Sequence, residues 1–153
     1  MLADTFMPKR STIGSAGYDF RAQEDYDLEP GRWTRIDLGV RFDGTEYVEV
    51  PVKTDWRSKG LYHPTKLVCS QWVMLLLPRS SYGMKYGFRF RNTVGVIDQS
   101  YRDNMVAEVT VEVPLSIKKG DKICQGIILP FGTFRDEMEP TDERTGGLGS
   151  TGR

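Results

Sequence analysis

The chain has 153 residues, with 21 Lys+Arg against 21 Asp+Glu, 39% apolar residues, 16 glycines, two cysteines and one histidine. That length suits one domain with a single core, and a formal charge of zero excludes a surface basic throughout, the kind that grips nucleic acid or anionic lipid, while leaving room for a local basic patch. Cys69, Cys124 and His63 are too few, and lack a Cys-x-x-Cys pair, for a structural zinc site of about four ligands.

His63 would have to serve any Ser-His-Asp or Cys-His mechanism, but it sits in the polar stretch Gly60-Leu61-Tyr62-His63-Pro64 and reads as a loop histidine. The segment Met1-Leu2-Ala3-Asp4-Thr5-Phe6-Met7 has no basic-then-apolar signal pattern, and no apolar run approaches the roughly 20 residues of a membrane helix. These features predict a cytoplasmic protein with free thiols and with neither a membrane nor a nucleic-acid partner.

Helical periodicity is nearly absent and period-two alternation is common. After the turn Glu29-Pro30-Gly31, Ile36, Leu38, Val40 and Phe42 alternate with polar residues and glycine, which predicts a strand with one buried face. Past Asp43-Gly44 the alternation returns at Val48, Val50 and Val52. Trp72 to Leu77 is continuously apolar, as expected for a strand covered on both faces or buried between subunits. Met105, Ala107, Val109, Val111 and Val113 alternate with Glu108, Thr110 and Glu112, which predicts a solvated second face. Beyond Lys119-Gly120-Asp121, the run Ile123 to Leu129 is again apolar and ends at Pro130-Phe131-Gly132. Short strands punctuated by turns, without a long helix, predict an all-β sandwich or barrel. Residues 135–153, charged and then glycine-rich, cannot hold themselves in a core and predict a flexible tail after a β domain over 1–134.

Chemistry concentrates between Arg79 and Arg102, where Arg79, Lys85, Arg89, Arg91 and Arg102 face a single acid, Asp98. Such a segment suits a polyanion held by arginines and backbone amides beside one carboxylate base. Gly83, Gly87 and Gly95 read as turn residues or as places of close backbone approach to a ligand.

These features fall in a set, in order. Ala16-Gly17-Tyr18-Asp19-Phe20-Arg21-Ala22, Pro78-Arg79-Ser80-Ser81-Tyr82-Gly83-Met84-Lys85-Tyr86-Gly87 and Asn92-Thr93-Val94-Gly95-Val96-Ile97-Asp98-Gln99-Ser100-Tyr101-Arg102 are followed by Gly120-Asp121-Lys122-Ile123-Cys124-Gln125 and Arg144-Thr145-Gly146-Gly147-Leu148-Gly149-Ser150-Thr151-Gly152. In this the sequence closely resembles the homotrimeric deoxyuridine triphosphate diphosphatases (dUTPases), which carry five such motifs.

The resemblance implies a distorted jelly-roll or β-clip barrel, assembled as a trimer whose active sites are shared between subunits, that hydrolyses dUTP to dUMP and pyrophosphate. Uracil would be held by a hairpin of motif three through backbone groups of Gly95, Val96 and Ile97 and the side chain of Asn92, with Tyr101 against the deoxyribose. Asp98 would be the general base for the water attacking the α-phosphorus. Arg79, Ser80, Ser81 and Gln125 would hold phosphates, and Asp19 would hold Mg²⁺ through water, the ion being carried mainly by the triphosphate. Arg144 would reach the γ-phosphate while Gly147, Leu148, Gly149 and Ser150 close the site as a lid.

The sequence also departs from the family pattern. Leu148 replaces a usual phenylalanine, giving apolar cover in place of stacking, Ser100 replaces a common aspartate, and Asp103 a usual glycine. Arg144 lies one residue closer to the double glycine than in many members. An insertion at about residues 43–66, with Trp56, Arg57, Lys59, Tyr62 and His63, reads as an extended surface hairpin or else a partner or nucleic-acid contact. These departures suit a phage or other viral enzyme acting in a host cytoplasm. Two readings stay open beside the hydrolase: a dCTP deaminase of the same fold, which shares Arg79-Ser80-Ser81, and a binding or regulatory protein that kept the pocket.

Overall fold

The computed structural model describes residues 6–43, 48–52, 65–69 and 71–132. The strands in chain order are β1 (Lys9–Arg10), β2 (Tyr18–Arg21), β3 (Tyr26–Leu28), β4 (Thr34–Asp37), β5 (Val48–Val52), β6 (Thr65–Cys69) and β7 (Trp72–Pro78). A short helix α1 (Ser80–Tyr86) follows, then β8 (Arg89–Phe90), β9 (Gly95–Ile97), β10 (Val106–Thr110), β11 (Leu115–Ile117) and β12 (Lys122–Pro130). The all-β expectation holds, with a short helix added.

One sheet has the order β1-β2-β12-β7-β9, a second β4-β10-β8, and two pairs, β11-β3 and β5-β6, complete the set. The pairing is antiparallel throughout. Phe20, Ile36, Leu38, Leu76, Met105, Val109, Ile117 and Ile123 are almost wholly buried between these layers. The insertion contributes β5 and β6, which pair from Val48 opposite Cys69 to Val52 opposite Thr65, so the predicted hairpin is present and its second strand runs past residue 66. Trp56, Arg57, Lys59, Tyr62 and His63 lie outside the described residues.

Three expectations change in detail. Helix α1 is only seven residues long, too short for a 3.6-residue period to show in the sequence; Gly87 ends it in the left-handed region (φ 61°) with its N–H on the Gly83 carbonyl. Thr110, expected on a solvated face, is 2% exposed, because the end of β10 is covered where it pairs with β8. Strand β7, expected to be covered on both faces or buried between subunits, is covered on one face within the chain: it buries Met74 and Leu76 and leaves Val73, Leu75 and Leu77 half-buried.

The last point has a wider geometry. Leu75 lies opposite Val96 of β9 on one side and Ile127 of β12 on the other, and Val73 lies opposite Leu129. Paired residues share a face, so the outer side of the large sheet presents Val73, Leu75, Leu77, Ile127, Leu129 and Val96, the last two 40% and 60% exposed.

Leu76, 1% exposed, sits on the inner face between Gly126 and Gly95. A Cβ on Gly126 would come within 2.8 Å of both Met74 Sδ and Phe20 Cε2, so the two glycines leave Leu76 and its neighbours the space they fill. Leu76→Ala should therefore cost about 2–5 kcal/mol, read as a shift of the denaturant midpoint at fixed protein concentration.

Candidate active site

The order of the large sheet gathers residues that are remote in sequence. Strand β2 carries Asp19, β12 carries Gln125, β7 runs into Arg79 and α1, and β9 is Gly95–Ile97. Gln125 stands directly opposite Asp19 on one side and Leu77 on the other, so all three share the outer face of the sheet. Ser11, Ser15, Ala16, Gly17, Asp19, Arg79, Ser80, Gln125 and Ile127 line an open cleft of about 410 Å³ there. Four of the expected site residues, Asp19, Arg79, Ser80 and Gln125, meet in it, and Ser81 is the next residue of α1.

Gly17 packs close to Gln125: a Cβ there would lie 2.9 Å from Gln125 Oε1 and would turn that side-chain amide aside. Asp19 is the electrostatic centre. Its Oδ2 accepts hydrogen bonds from Ser11 Oγ at 2.5 Å and from Lys122 Nζ at 2.8 Å, and its Oδ1 lies 3.5 Å from Arg79 Nε. Burial by itself raises the pKa of this carboxyl, but the hydrogen bonds from Lys122 and Ser11 and the charges of Lys122 and Arg79 outweigh it and hold the pKa below its ordinary 3.8. Ser11 and Lys122 were not singled out in the sequence, because nothing in its local pattern marks a serine before motif one or a lysine inside motif four as facing Asp19.

A second cavity, of about 250 Å³, is lined by Arg35, Leu76, Phe90, Arg91, Asn92, Gly95, Val106, Ala107 and Glu108. Asn92 and Gly95 are thus brought together, while Val96 projects to the outer face and Ile97 to the core. Strand β9 pairs with β7 and, among the described residues, with no other strand, so one row of its backbone groups faces away from the sheet. In place of the hairpin expected of motif three, the described residues show β9 followed by a turn in which the Tyr101 N–H donates to the Asp98 carbonyl at 3.0 Å. Tyr101 itself is 6% exposed, and its hydroxyl donates to the Asn104 carbonyl.

Two of the five bases counted between Arg79 and Arg102 are committed elsewhere. Arg89 pairs with Glu112 at 3.0 Å and Arg91 with Glu108 at 2.9 Å, and Arg91 also stacks on Trp33. The basic excess of that segment is therefore partly cancelled by acids from β10 and the residues after it. Arg144, Gly147, Leu148, Gly149 and Ser150 lie outside the described residues.

Asp98 is exposed and does not join the Asp19 cleft of its own chain. Ile97 lies opposite Met74, so Asp98 falls about four residues along the strands from the Asp19–Gln125–Leu77 row, or ~13 Å, and three strand spacings of ~4.8 Å across from β2. The two carboxylates are thus roughly 20 Å apart on one face of the same sheet.

Comparison with known proteins identifies the family. The sequence profile of the dUTPase family matches residues 61–152. The deoxyuridine 5'-triphosphate nucleotidohydrolase of Lactococcus lactis is 32% identical over 155 residues, covering 95% of this chain and 87% of that one. A solved dUTPase from Streptococcus mutans superposes with a TM-score of 0.60 at 24% identity, over 86% of this chain and 90% of that one. The dUTPase of phage phi11 of S. aureus, in a variant described with a structural Mg(II) ion, superposes with a TM-score of 0.60 at 21% identity, over 92% of each chain. The chain belongs to the dUTPase family.

The lowered pKa of Asp19 means that the fold favours its ionised form. The stabilisation is complete above the unfolded carboxyl value and is lost as pH falls through the lower, folded one. The gap in melting temperature between wild type and Asp19→Asn should accordingly be wide at pH 7 and narrow below about pH 4, as followed by thermal denaturation across that range.

Proposed function

We propose that the protein hydrolyses dUTP to dUMP and pyrophosphate, by attack of an Asp98-activated water on the α-phosphorus. The observation that carries this reading is the strand order β2-β12-β7-β9, which sets the residues of motifs one, four, two and three side by side on one sheet. The relatives described above are nucleotidohydrolases and dUTPases, which favours phosphohydrolysis over deamination of dCTP.

The exposed backbone edge of Gly95–Ile97 gives uracil a fixed row of donors and acceptors, completed by the Asn92 side chain. Cytosine reverses the donor and acceptor at its pairing edge, so it would leave buried polar groups unpaired, which is how such a site discriminates strongly. Tyr101, fixed by its packing and its bond to Asn104, forms a rigid wall for the deoxyribose. Arg79, Ser80, Ser81 and Gln125 hold the phosphates, and the tail over 135–153 closes the site through Arg144, Gly147, Leu148, Gly149 and Ser150.

The donor set suits a magnesium ion bound through water. Asp19 offers one carboxylate beside Ser11 and Gln125, and among the described residues no group of three or more His, Cys, Asp or Glu side chains could hold a metal directly. When bound, the ion would neutralise triphosphate charge and orient the phosphates for in-line attack.

Because Asp98 and Asp19 of one chain are far apart on a common face, a working site takes its base from a neighbouring subunit. The half-exposed apolar face of Val73, Leu75, Leu77, Ile127, Leu129 and Val96 is continuous with the Asp19 cleft and supplies the surface for that contact. A homotrimer sharing its sites satisfies both demands. No helix among the described residues is long and apolar enough to cross a membrane, and Cys124 is a buried free thiol, in keeping with a reducing cytoplasm.

Asp98→Asn should lower dUTP turnover by about 10²–10⁴-fold while leaving binding of a non-hydrolysable dUTP analogue intact; near wild-type turnover would refute Asp98 as the base. Leu129→Arg, a change on the apolar face and outside the cleft, should give a monomer by light scattering and abolish hydrolysis together with it.

A further inference from the structure

The contacts around Asp19 contain a residue that the reaction as described does not use. Lys122 Nζ donates to Asp19 Oδ2 at 2.8 Å and to Ser11 Oγ at 2.6 Å, while Ser11 Oγ donates to the same Oδ2 at 2.5 Å. The three groups close a triangle that joins β12, β2 and the residue following β1. Lys122 also acts through its main chain, since its carbonyl accepts from Arg79 Nη1 at 3.2 Å. One residue therefore holds both the carboxylate and the arginine of the phosphate cleft.

Backbone irregularity aims this side chain. The β12–β2 register shifts between Lys122 and Cys124, so that Lys122 stands opposite Arg21 and Cys124 opposite Phe20. In a regular strand Lys122 would share the inward face of Cys124, which is fully buried. The bulge lets Ile123 and Cys124 both enter the core and turns Lys122 out beside Asp19, where the ammonium-bearing side chain is 30% exposed and the carboxylate 12%.

We propose that Lys122 is a positioning residue that acts as a built-in counter-ion, latched to Asp19 with Ser11 while the cleft is empty and transferred to the triphosphate when nucleotide enters, leaving Asp19 to a hydrated metal ion. This rests on the dUTPase reading. Charge supplies the reason: an ammonium hydrogen-bonded to Oδ2 repels a dication approaching the same carboxylate, so both cannot keep that position. The entering phosphates give the displaced ammonium an anionic partner of equal quality, so the exchange leaves no charge unpaired.

The test is calorimetric titration with the imido analogue of dUTP, which is not hydrolysed, with and without Mg²⁺, on wild type, Lys122→Gln and Lys122→Arg. Lys122→Gln should weaken metal-free binding of the analogue about tenfold, leave dUMP binding within about twofold, and lower several-fold the Mg²⁺ concentration that gives half of the metal-dependent gain in affinity. Lys122→Arg should restore the metal-free affinity. Ser11→Ala, which keeps both charges and only loosens the triangle, should shift the Mg²⁺ dependence in the same direction by about two- to threefold, and it secures the test should Lys122→Gln fold poorly. If Lys122→Gln and Ser11→Ala change only the melting temperature and bind the analogue as wild type does at every Mg²⁺ concentration, Lys122 is a structural pin and the proposal falls. If wild type itself binds no dUTP analogue, the dUTPase reading falls first.

Discussion

Strand β12 is the constraint on which the remaining structure depends. It pairs with β2 on one side and over seven residues with β7 on the other, and through β7 it fixes the position of β9. Gly126 at its middle has no side chain, and the space this leaves is filled by Met74 and Phe20 from the flanking strands. Motifs one and four and the residue before motif two, separated by long stretches of chain, are brought to one row by this ladder, and a one-residue slip of β12 would move Gln125 to the core and Ile123 or Cys124 into the cleft.

The same sheet has two apolar faces with different fates. The inner face, with Phe20, Leu76 and Ile123, is closed by the β4-β10-β8 sheet and its neighbours, while the outer face is half-covered and carries the Asp19 cleft at one end and Asp98 at the other. Under the proposed function, an apolar face that also bears the ionic site would make assembly and catalysis one problem, because whatever covers Leu75, Val96 and Ile127 would also determine which carboxylate faces which phosphate cleft.

Much of this was legible in the residues. Alternation from Ile36 to Phe42 and from Met105 to Val111 marked the buried positions, each 7% exposed or less, but Val113, read as the next of the series, lies past the end of β10 and is 45% exposed. The run from Trp72 to Leu77 left two alternatives open: alternation was hidden because both faces of β7 are apolar, which a sequence cannot distinguish from complete burial in one chain. The basic segment from Arg79 to Arg102 was misleading in a different way, since a count along the sequence does not see Glu108 and Glu112 arriving from and just after a neighbouring strand to neutralise Arg91 and Arg89. Lys122 and Ser11 were missed for a third reason. The contact of Lys122 with Asp19 depends on a bulge, which inverts the side-chain parity on which pattern reading relies, and Ser11 reaches Asp19 only because β1 pairs with β2.

The electrostatics of the Asp19 cleft give the zero net charge a more specific meaning. The two bases of the cleft, Arg79 and Lys122, share the one carboxylate of Asp19, while Arg89 and Arg91, outside the cleft, face glutamates. A single monovalent anion entering the cleft would have to compete with the ionised, partly buried Asp19 for both bases and would gain little. A triphosphate carrying a divalent ion differs, because it brings enough negative charge to take both bases and a cation to leave with the carboxylate. Under the proposed function, selection for the whole polyphosphate–metal unit over simple anions would follow from the prior pairing of the site, and the backbone edge of β9 would add the choice of base.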